Sequence, residues 1–397
     1  MAEGHPMAPE SAAGGPAAES PARWRAVRAV LTANRQELGR VAAGLYPQTP
    51  RVGPSDLLCR EEWLPGAPLA LDDLPVTWTG APAPEAWYAA ARAHVLPVTE
   101  AGERYASYAD AVAAVDPPEL LENRYCYRLV DASLAGAPGL PTPGLRFGGI
   151  SYFAGMDLGH AVAHELAAAW DRAGAAVRMT GLPLRAQVGD PCALTGRPGL
   201  VAVTTLTLRR DAAGGASFIL HWRDPAKVNH GGGLYQVMPV GVFQPVTGAP
   251  AAVRRDLSLW KSMARKFSEE FLGTPEDYQT SNGLLDYEAW PFYRRLTAAR
   301  REGRLTVHCL GLGVDPLTFA TDILAVAVFD APLFDAEFAG LVALNSEGRV
   351  ITGGGTAGIP FTAETVARLT GGREPFQAAG AAVLSLAWQH RTSLLGR

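Results

Sequence analysis

From about residue 120 onward, strand-type and helix-type segments alternate along the chain. Runs rich in β-branched and aromatic residues predict strands at 125–134, 200–210, 216–224, 234–246, 305–314 and 323–330. Apolar residues at helical spacing predict helices at 158–174, 257–271, 288–303, 363–372 and 376–391. This mixture limits the chain to an α/β or α+β architecture.

The preceding part of the chain has a different character. Residues 1–22 are rich in Ala, Gly, Pro, Glu and Ser, a composition that predicts a disordered tail. Residues 23–118 combine helical patterns with a proline-rich stretch at 47–75, which predicts an extended path over the surface. Because 397 residues exceed the usual size of one core, we expect a mainly helical N-terminal extension followed by a separate α/β domain at 119–397.

The charge balance argues against nucleic acid as a partner. The formal net charge is −4, and Lys and Arg do not gather into a basic block. No stretch has the roughly 20 consecutive apolar residues of a membrane span. The four cysteines lie too far apart for a zinc site or a disulfide framework. We therefore expect a cytoplasmic protein with no nucleic-acid or membrane partner, and the sequence leaves open whether it forms a homodimer.

One predicted helix carries a charge pattern with a functional meaning. In 257–271, apolar residues occupy one side, Arg265, Lys266 and Glu269 occupy the other, and Glu270 lies at the border. Lys266 precedes the two glutamates by three and four residues, so the three side chains can approach one point. Two adjacent carboxylates suit a hard divalent cation such as Mg²⁺.

The segment 265–270 resembles the helical box of the Nudix superfamily, in which Arg-Glu is followed, after two residues, by Glu-Glu. Upstream, 235–245 resembles the family's aromatic strand and Pro-Gly-Gly turn, with Pro239 and Gly241 in matching places. The longer run 221–330 is similar to a group of actinobacterial Nudix-like proteins.

This resemblance implies a Nudix-like mixed β-sheet sandwiched by helices. It also implies hydrolysis of a phosphoanhydride bond in a nucleoside-diphosphate-type ligand, with Mg²⁺ or Mn²⁺ polarising the phosphoryl oxygens. Glu269 and Glu270 would be the metal ligands, and Arg265 would orient their carboxylates. Lys266 stands where the family has a metal-binding glutamate, so it would displace one metal or contact phosphate directly.

Departures from the box leave several interpretations open. Leu257 and Ala251 stand where the family has Glu and Gly, and a Lys266 ammonium would pair with the neighbouring carboxylates and weaken metal binding. The chain is therefore either a metal-dependent pyrophosphohydrolase or a catalytically inactive module for ligand sensing or protein interaction. Alternatively, the charged residues form a solvated helix face. The nearby acids available to replace lost ligands are Asp256, Glu276 and Asp277.

A second group of residues predicts contact with an anionic ligand. Three of them flank or lie in the glycine-rich stretch 228–236, where glycine lets a backbone approach a phosphate closely. The alternative is a plain turn with surface salt bridges. The predicted binding residues for a small phosphorylated molecule are Arg223, Lys227, His230, Pro239 and Gly241.

Two histidines on the predicted helix 158–174 have metal-ligand spacing. His160 and His164 are four residues apart and precede Glu165, so both imidazoles can face one ion. Their order differs from that of the zinc-protease box, and the sequence shows no third ligand. A surface or partly packed helix face is the favoured interpretation.

Overall fold

A mixed β-sheet covered by helices forms the centre of this computed structural model, which describes residues 16–85, 87–119, 121–135, 143–224, 232–276, 278, 283–343, 348–352 and 358–396. Within these residues the helices are α1 (Pro16–Ala33), α2 (Arg35–Gly44), α3 (Ala89–Arg92), α4 (Tyr108–Val115), α5 (Tyr152–Ala173), α6 (Pro183–Val188), α7 (Pro250–Arg255), α8 (Leu259–Leu272), α9 (Pro291–Arg301), α10 (Ala331–Glu337), α11 (Ala363–Thr370), α12 (Ala378–Gln389) and α13 (Arg391–Leu395). The strands are β1 (Leu69–Ala70), β2 (Val76–Trp78), β3 (Tyr125–Ser133), β4 (Gly144–Ser151), β5 (Val201–Arg210), β6 (Ala216–Phe218), β7 (Leu220–Arg223), β8 (Tyr235–Val237), β9 (Val240–Val242), β10 (Leu305–Val314), β11 (Thr321–Asp330), β12 (Gly348–Ile351) and β13 (Ile359–Pro360).

The largest sheet has the strand order β1-β10-β11-β5-β6-β13, and β9 also pairs with β5. β5 and β11 pair in parallel, with Val201 opposite Thr321, whereas the other described pairs of this sheet are antiparallel. Residues 321–329 of β11 are all buried, so both faces of the sheet are covered. The mixed α/β fold class predicted from the sequence is confirmed.

Helices α8, α9, α10 and α12 pack on this sheet. Aromatic rings fix α8 at the end of β11. Phe271 lies 4.6 Å from Phe338, and Phe267 lies 5.4 Å from Phe329, measured between ring centroids. Such buried ring pairs add to the stabilisation from apolar burial. The position of α8 therefore depends on its apolar side.

The proline-rich stretch 47–75 belongs to the core. It contains β1, which pairs with β10, and Leu58 forms an isolated bridge with Val314. Leu57 and Trp63 are buried. The surface path predicted for this stretch is wrong, because its apolar residues cover the edge of β10.

The N-terminal helices share their packing with the rest of the molecule. α1, α2 and α4 contact α5, and one connected set of buried apolar residues extends from Trp24 to Leu395. The first helix begins at Pro16, so the disorder predicted for residues 1–22 is wrong for residues 16–22. No helix in the described part of the chain combines the length and the apolar character needed to cross a membrane.

Two predicted strands are each divided. The stretch 216–224 becomes β6 in the main sheet and β7 in a second sheet of order β12-β7-β8. The stretch 234–246 becomes β8 in that second sheet and β9 beside β5. These changes of sheet place the ends of β7 and β9 at one cavity. A third sheet has the order β2-β4-β3.

Candidate functional site

Helix α8 presents the predicted charged residues, and local capping fixes its ends. At its start the Ser258 hydroxyl accepts a hydrogen bond from the Lys261 backbone N–H. At its end Gly273 has φ +67°, a left-handed conformation that glycine adopts without steric cost. With its aromatic side on the sheet, α8 turns the edge bearing Lys266 and Glu270 toward β9.

Lys266 lies between two carboxylates. Its Nζ is 2.5 Å from Glu269 Oε2 and 2.6 Å from Glu276 Oε1. The Lys266 side chain is 14% exposed and that of Glu269 is 9% exposed. The ammonium therefore occupies a nearly buried position between carboxylates, where a divalent cation would otherwise be expected.

Arg124 extends this charge cluster. Its Nη1 donates to Glu276, and its Nε donates to Glu122 Oε2 over 2.7 Å. Burial raises the pKa of Glu276, but the Lys266 ammonium and the Arg124 guanidinium outweigh burial and hold the pKa well below its usual range. Glu276 is therefore ionised at neutral pH.

The two predicted metal ligands have different partners. Glu269 Oε1 accepts a hydrogen bond from the Tyr278 hydroxyl over 2.7 Å, whereas Glu270 Oε1 accepts one from the Val240 backbone N–H over 2.8 Å. Burial and the Glu269 carboxylate raise the pKa of Tyr278, so its phenol stays protonated as the donor. Glu269 and Glu270 do not share a partner among these contacts.

Arg265 does not have the predicted role. Its Nη2 donates to the Gln244 carbonyl over 2.5 Å, and its Nη1 lies 3.7 Å from Asp256 Oδ2. The guanidinium is thus directed to the segment after β9 and not to the box carboxylates. Arg265 and Glu270 are each 5% exposed. The interpretation as a solvated helix face is therefore also wrong, because β9 and the segments beside it cover this edge of α8.

Gly241 is required by the close approach of Lys266. A Cβ built at Gly241 would lie 2.3 Å from Lys266 Cε, so the lysine stem passes directly over this glycine. Pro239 is buried, and its carbonyl accepts a hydrogen bond from the Thr205 backbone N–H over 3.0 Å. Gly241, one of the two predicted binding residues on this turn, therefore lines the cavity and leaves room for the Lys266 side chain. Pro239, the other, is hydrogen-bonded to β5.

The site does not fit the Mg²⁺ or Mn²⁺ implied by the box. Glu269 and Glu276 already enclose an ammonium, and Glu270 binds a backbone N–H. Within the described residues, no group of three or more His, Cys, Asp or Glu side chains is arranged to hold a metal ion. That Lys266 weakens metal affinity stays a prediction.

A cavity of about 1240 Å³ adjoins the charge cluster. It is somewhat larger than the roughly 300–1,000 Å³ typical of small-molecule sites. α5 approaches the cavity wall closely, because a Cβ at Gly159 would lie 2.8 Å from the Thr318 carbonyl oxygen. Its charged or titratable wall residues include Arg35, Arg124, His160, Arg223, Lys266, Glu269, Glu270, Asp315 and Asp322.

Asp322 is a buried carboxyl on this wall. It is 8% exposed, and its Oδ1 accepts a hydrogen bond from the Thr204 hydroxyl over 2.7 Å. Burial raises the pKa of Asp322 to about 7, the Thr204 hydrogen bond opposes this shift, and the Asp315 charge adds to it. Both protonation states of Asp322 are therefore populated near neutral pH.

Two guanidiniums, those of Arg35 and Arg223, line another part of the wall. The Arg35 side chain is 11% exposed and lies 3.8 Å from Asp315 Oδ2. Burial lowers the pKa of Arg35, the Asp315 carboxylate opposes this shift, and the positive charge of Arg223 adds to it. The predicted ligand residue Arg223 thus lies close enough to Arg35 for the two charges to repel each other.

The predicted histidine pair is not a metal site. His164 Nδ1 lies 3.1 Å from the Tyr108 hydroxyl, and its ring stacks on Trp24. His160 lines the cavity. Burial, with the positive charge of Arg28, lowers the pKa of both imidazoles to about 3, so both are neutral. Glu165 is directed elsewhere, since it accepts hydrogen bonds from two backbone N–H groups at the start of α6.

Some predicted site residues lie outside the described residues, and the structure adds other site residues that the sequence did not predict. The predicted ligand residues Lys227 and His230, and the nearby acid Asp277, lie outside the described residues. Arg35 and Arg124 were not predicted, because their segments carry no motif. Asp322 was also missed, although an acid inside the otherwise apolar run 321–329 is a signal that could have identified it.

The chain was compared with known proteins. No family model matches it, and no curated protein is significantly similar to it. The Nudix resemblance therefore stays a prediction that rests on the residues of α8 and β9.

Proposed function

We propose that this chain binds a small phosphorylated molecule in the 1240 Å³ cavity without a divalent metal, as a ligand-sensing or interaction module. The observation that carries the proposal is the position of Lys266, 2.5 Å from Glu269 and 2.6 Å from Glu276. A hydrolase of the Nudix type would need the Glu269 carboxylate for a metal ion that polarises phosphoryl oxygens. Here a side chain supplies the neutralising charge.

The sign of the ligand charge is inferred from Arg35 and Arg223. Two guanidiniums in one partly buried wall repel each other, and an anion placed between them would remove that repulsion. Guanidiniums also match the geometry of phosphate oxygens, because their N–H groups bind two oxygens at once. A phosphate or diphosphate group is therefore the anionic part expected of the ligand.

Metal binding separates this proposal from the hydrolase alternative. In isothermal titrations of Mg²⁺ and Mn²⁺, the wild type is expected to show no binding, whereas Lys266→Glu is expected to bind, because a carboxylate replaces the ammonium. If the wild type binds either ion and Glu270→Gln loses that binding, the hydrolase function is favoured instead.

Anion binding is tested with inorganic pyrophosphate in metal-free buffer. The wild type is expected to bind it, and Arg35→Gln or Arg223→Gln is expected to weaken binding at least about tenfold, since a charge-assisted pair is lost. Arg254→Gln is the matched control, because Arg254 is exposed and is not part of the cavity wall. Equal affinity in all four proteins would contradict the proposed site.

A further inference from the structure

Asp322 carries a buried carboxyl group that has no role in the proposed anion site. It is more than nine-tenths buried, yet Thr204 is its one hydrogen-bond partner within the described part of the chain, through Oδ1. No Lys or Arg of that part forms an ion pair with it, in contrast to Glu269 and Glu276. No described side chain donates a hydrogen bond to its second carboxyl oxygen, Oδ2, and Asp322 is part of the cavity wall.

A buried carboxylate without a cation is energetically costly. Proteins either pair such a group with a positive charge or keep it protonated. Here burial raises the pKa of Asp322 to about 7, so the carboxyl is partly protonated at neutral pH. A positively charged ligand group at Oδ2 would provide the missing partner and would favour the ionised form.

We propose that Asp322 binds a protonated nitrogen group of the ligand, so that the cavity accepts a zwitterionic small molecule with an amine and a phosphate. This inference rests on the proposed function, because the phosphate is assigned to Arg35 and Arg223. The amine donates a charge-assisted hydrogen bond to Asp322 Oδ2 while Oδ1 keeps its bond from Thr204. Asp322 thus distinguishes amine-bearing phosphates from plain ones.

Other charged and titratable groups of the cavity bear on this assignment. Asp315 adds negative potential at Asp322, and the neutral His160 imidazole adds no charge at neutral pH. Arg35 and Arg223, to which the proposed function assigns the anion, line the same cavity. The two ends of the ligand therefore meet opposite charges within one cavity.

The test compares two probes that differ in one group, 2-aminoethyl phosphate and ethyl phosphate. Their affinities are measured by isothermal titration at pH 8, where Asp322 is mostly ionised. We expect the wild type to bind the amine-bearing probe about tenfold more tightly, as one charge-assisted hydrogen bond provides. Asp322→Asn should bind both probes equally, since the amide keeps the shape and the bond from Thr204. Asp110→Asn, an exposed acid outside the cavity wall, is the control that should keep the preference.

The outcomes separate this inference from the proposed function. If ethyl phosphate binds and the amine gives no advantage, the role of Asp322 is refuted and the anion site stands. A preference that survives in Asp322→Asn refutes the role as well. If neither probe binds, the anion site fails and the inference fails with it. The wild-type comparison decides the question even if Asp322→Asn does not fold.

Discussion

Lys266 shows how one residue changes the chemistry of a helix. Its ammonium stands where the resemblance places a metal ligand, and it neutralises Glu269 and Glu276 together. The sequence predicted the pairing with Glu269 from the spacing of three residues. It did not predict the partnership with Glu276, because that contact depends on the path of the chain after α8.

Replacing Lys266 with Met should destabilise the protein by about 2 kcal/mol near pH 7, because the nearly buried Glu269 carboxylate loses its cation, whereas Glu276, whose side chain is 35% exposed, keeps its pairing with Arg124. The pKa of Glu276, now held low by Lys266, would rise in the variant. The difference should therefore shrink as the pH falls from about 4 to about 2, where the wild type also protonates Glu276. Urea unfolding at several pH values measures this effect.

Lys261→Met is the matched control on the same helix. The Lys261 ammonium donates to the Arg255 carbonyl at an exposed position, so its loss should cost less than about 1 kcal/mol. Equal losses for the two variants would show that the Lys266 cluster adds no special stability.

The raised pKa of Asp322 predicts a second way in which the stability of the protein depends on pH. Its folded pKa of about 7 lies above the ordinary value of 3.8. A raised carboxyl pKa contributes stability below pH 4, and this contribution is lost as the pH rises through 7. Relative to Asp322→Asn, the wild type should therefore lose stability between pH 4 and 8, by at most about 4 kcal/mol. Parallel pH profiles from urea unfolding of the two proteins would contradict the raised pKa.

At the scale of elements, periodicity predicted much of the fold. Helices α8, α9 and α12 and strands β10 and β11 lie close to their predicted ranges, whereas α5 begins six residues before its predicted start, since long regular patterns determine their own structure but not their exact ends. Sheet changes after Phe218 and around Pro239 were not predicted, because a pattern of alternation does not say which partner a strand takes. The cavity depends on those partners and could not be located from the sequence.

The contact between β9 and α8 can be tested by replacing Gly241 in β9, with Gly39 in α2 as the control; both glycines line the cavity. Gly241→Ala places a Cβ 2.3 Å from Lys266 Cε, so the lysine must leave its two carboxylates. We expect a loss of about 1–3 kcal/mol. Gly39→Ala, in the middle of α2, meets no heavy atom within 4 Å and should stabilise the protein by roughly 0.5–1 kcal/mol. Thermal unfolding should separate the two variants in opposite directions; a stabilised Gly241→Ala would refute the close approach.

At the scale of the whole molecule, the N-terminal region is part of the core. The predicted α/β domain at 119–397 lacks β1 and the Leu58 bridge, both of which cover β10. We expect a chain that begins at Glu119 to show no cooperative urea transition and little near-UV circular dichroism, because a large apolar surface would be exposed. A chain that begins at Pro16 keeps these contacts and should unfold like the full chain. Cooperative unfolding of the shorter chain would establish 119–397 as an independent domain.

The cavity wall draws on distant parts of the sequence, from Arg35 in α2 to Ala381 in α12. Two hydrogen bonds join these parts directly, one from the Gln36 side chain to the Glu374 carbonyl and one from Arg40 to the Gly372 carbonyl. During synthesis on the ribosome, α2 emerges long before its partners, and contacts so far apart in sequence form late. The complete cavity wall therefore exists only in a polypeptide that has been both made and folded through residue 381, which is late in translation.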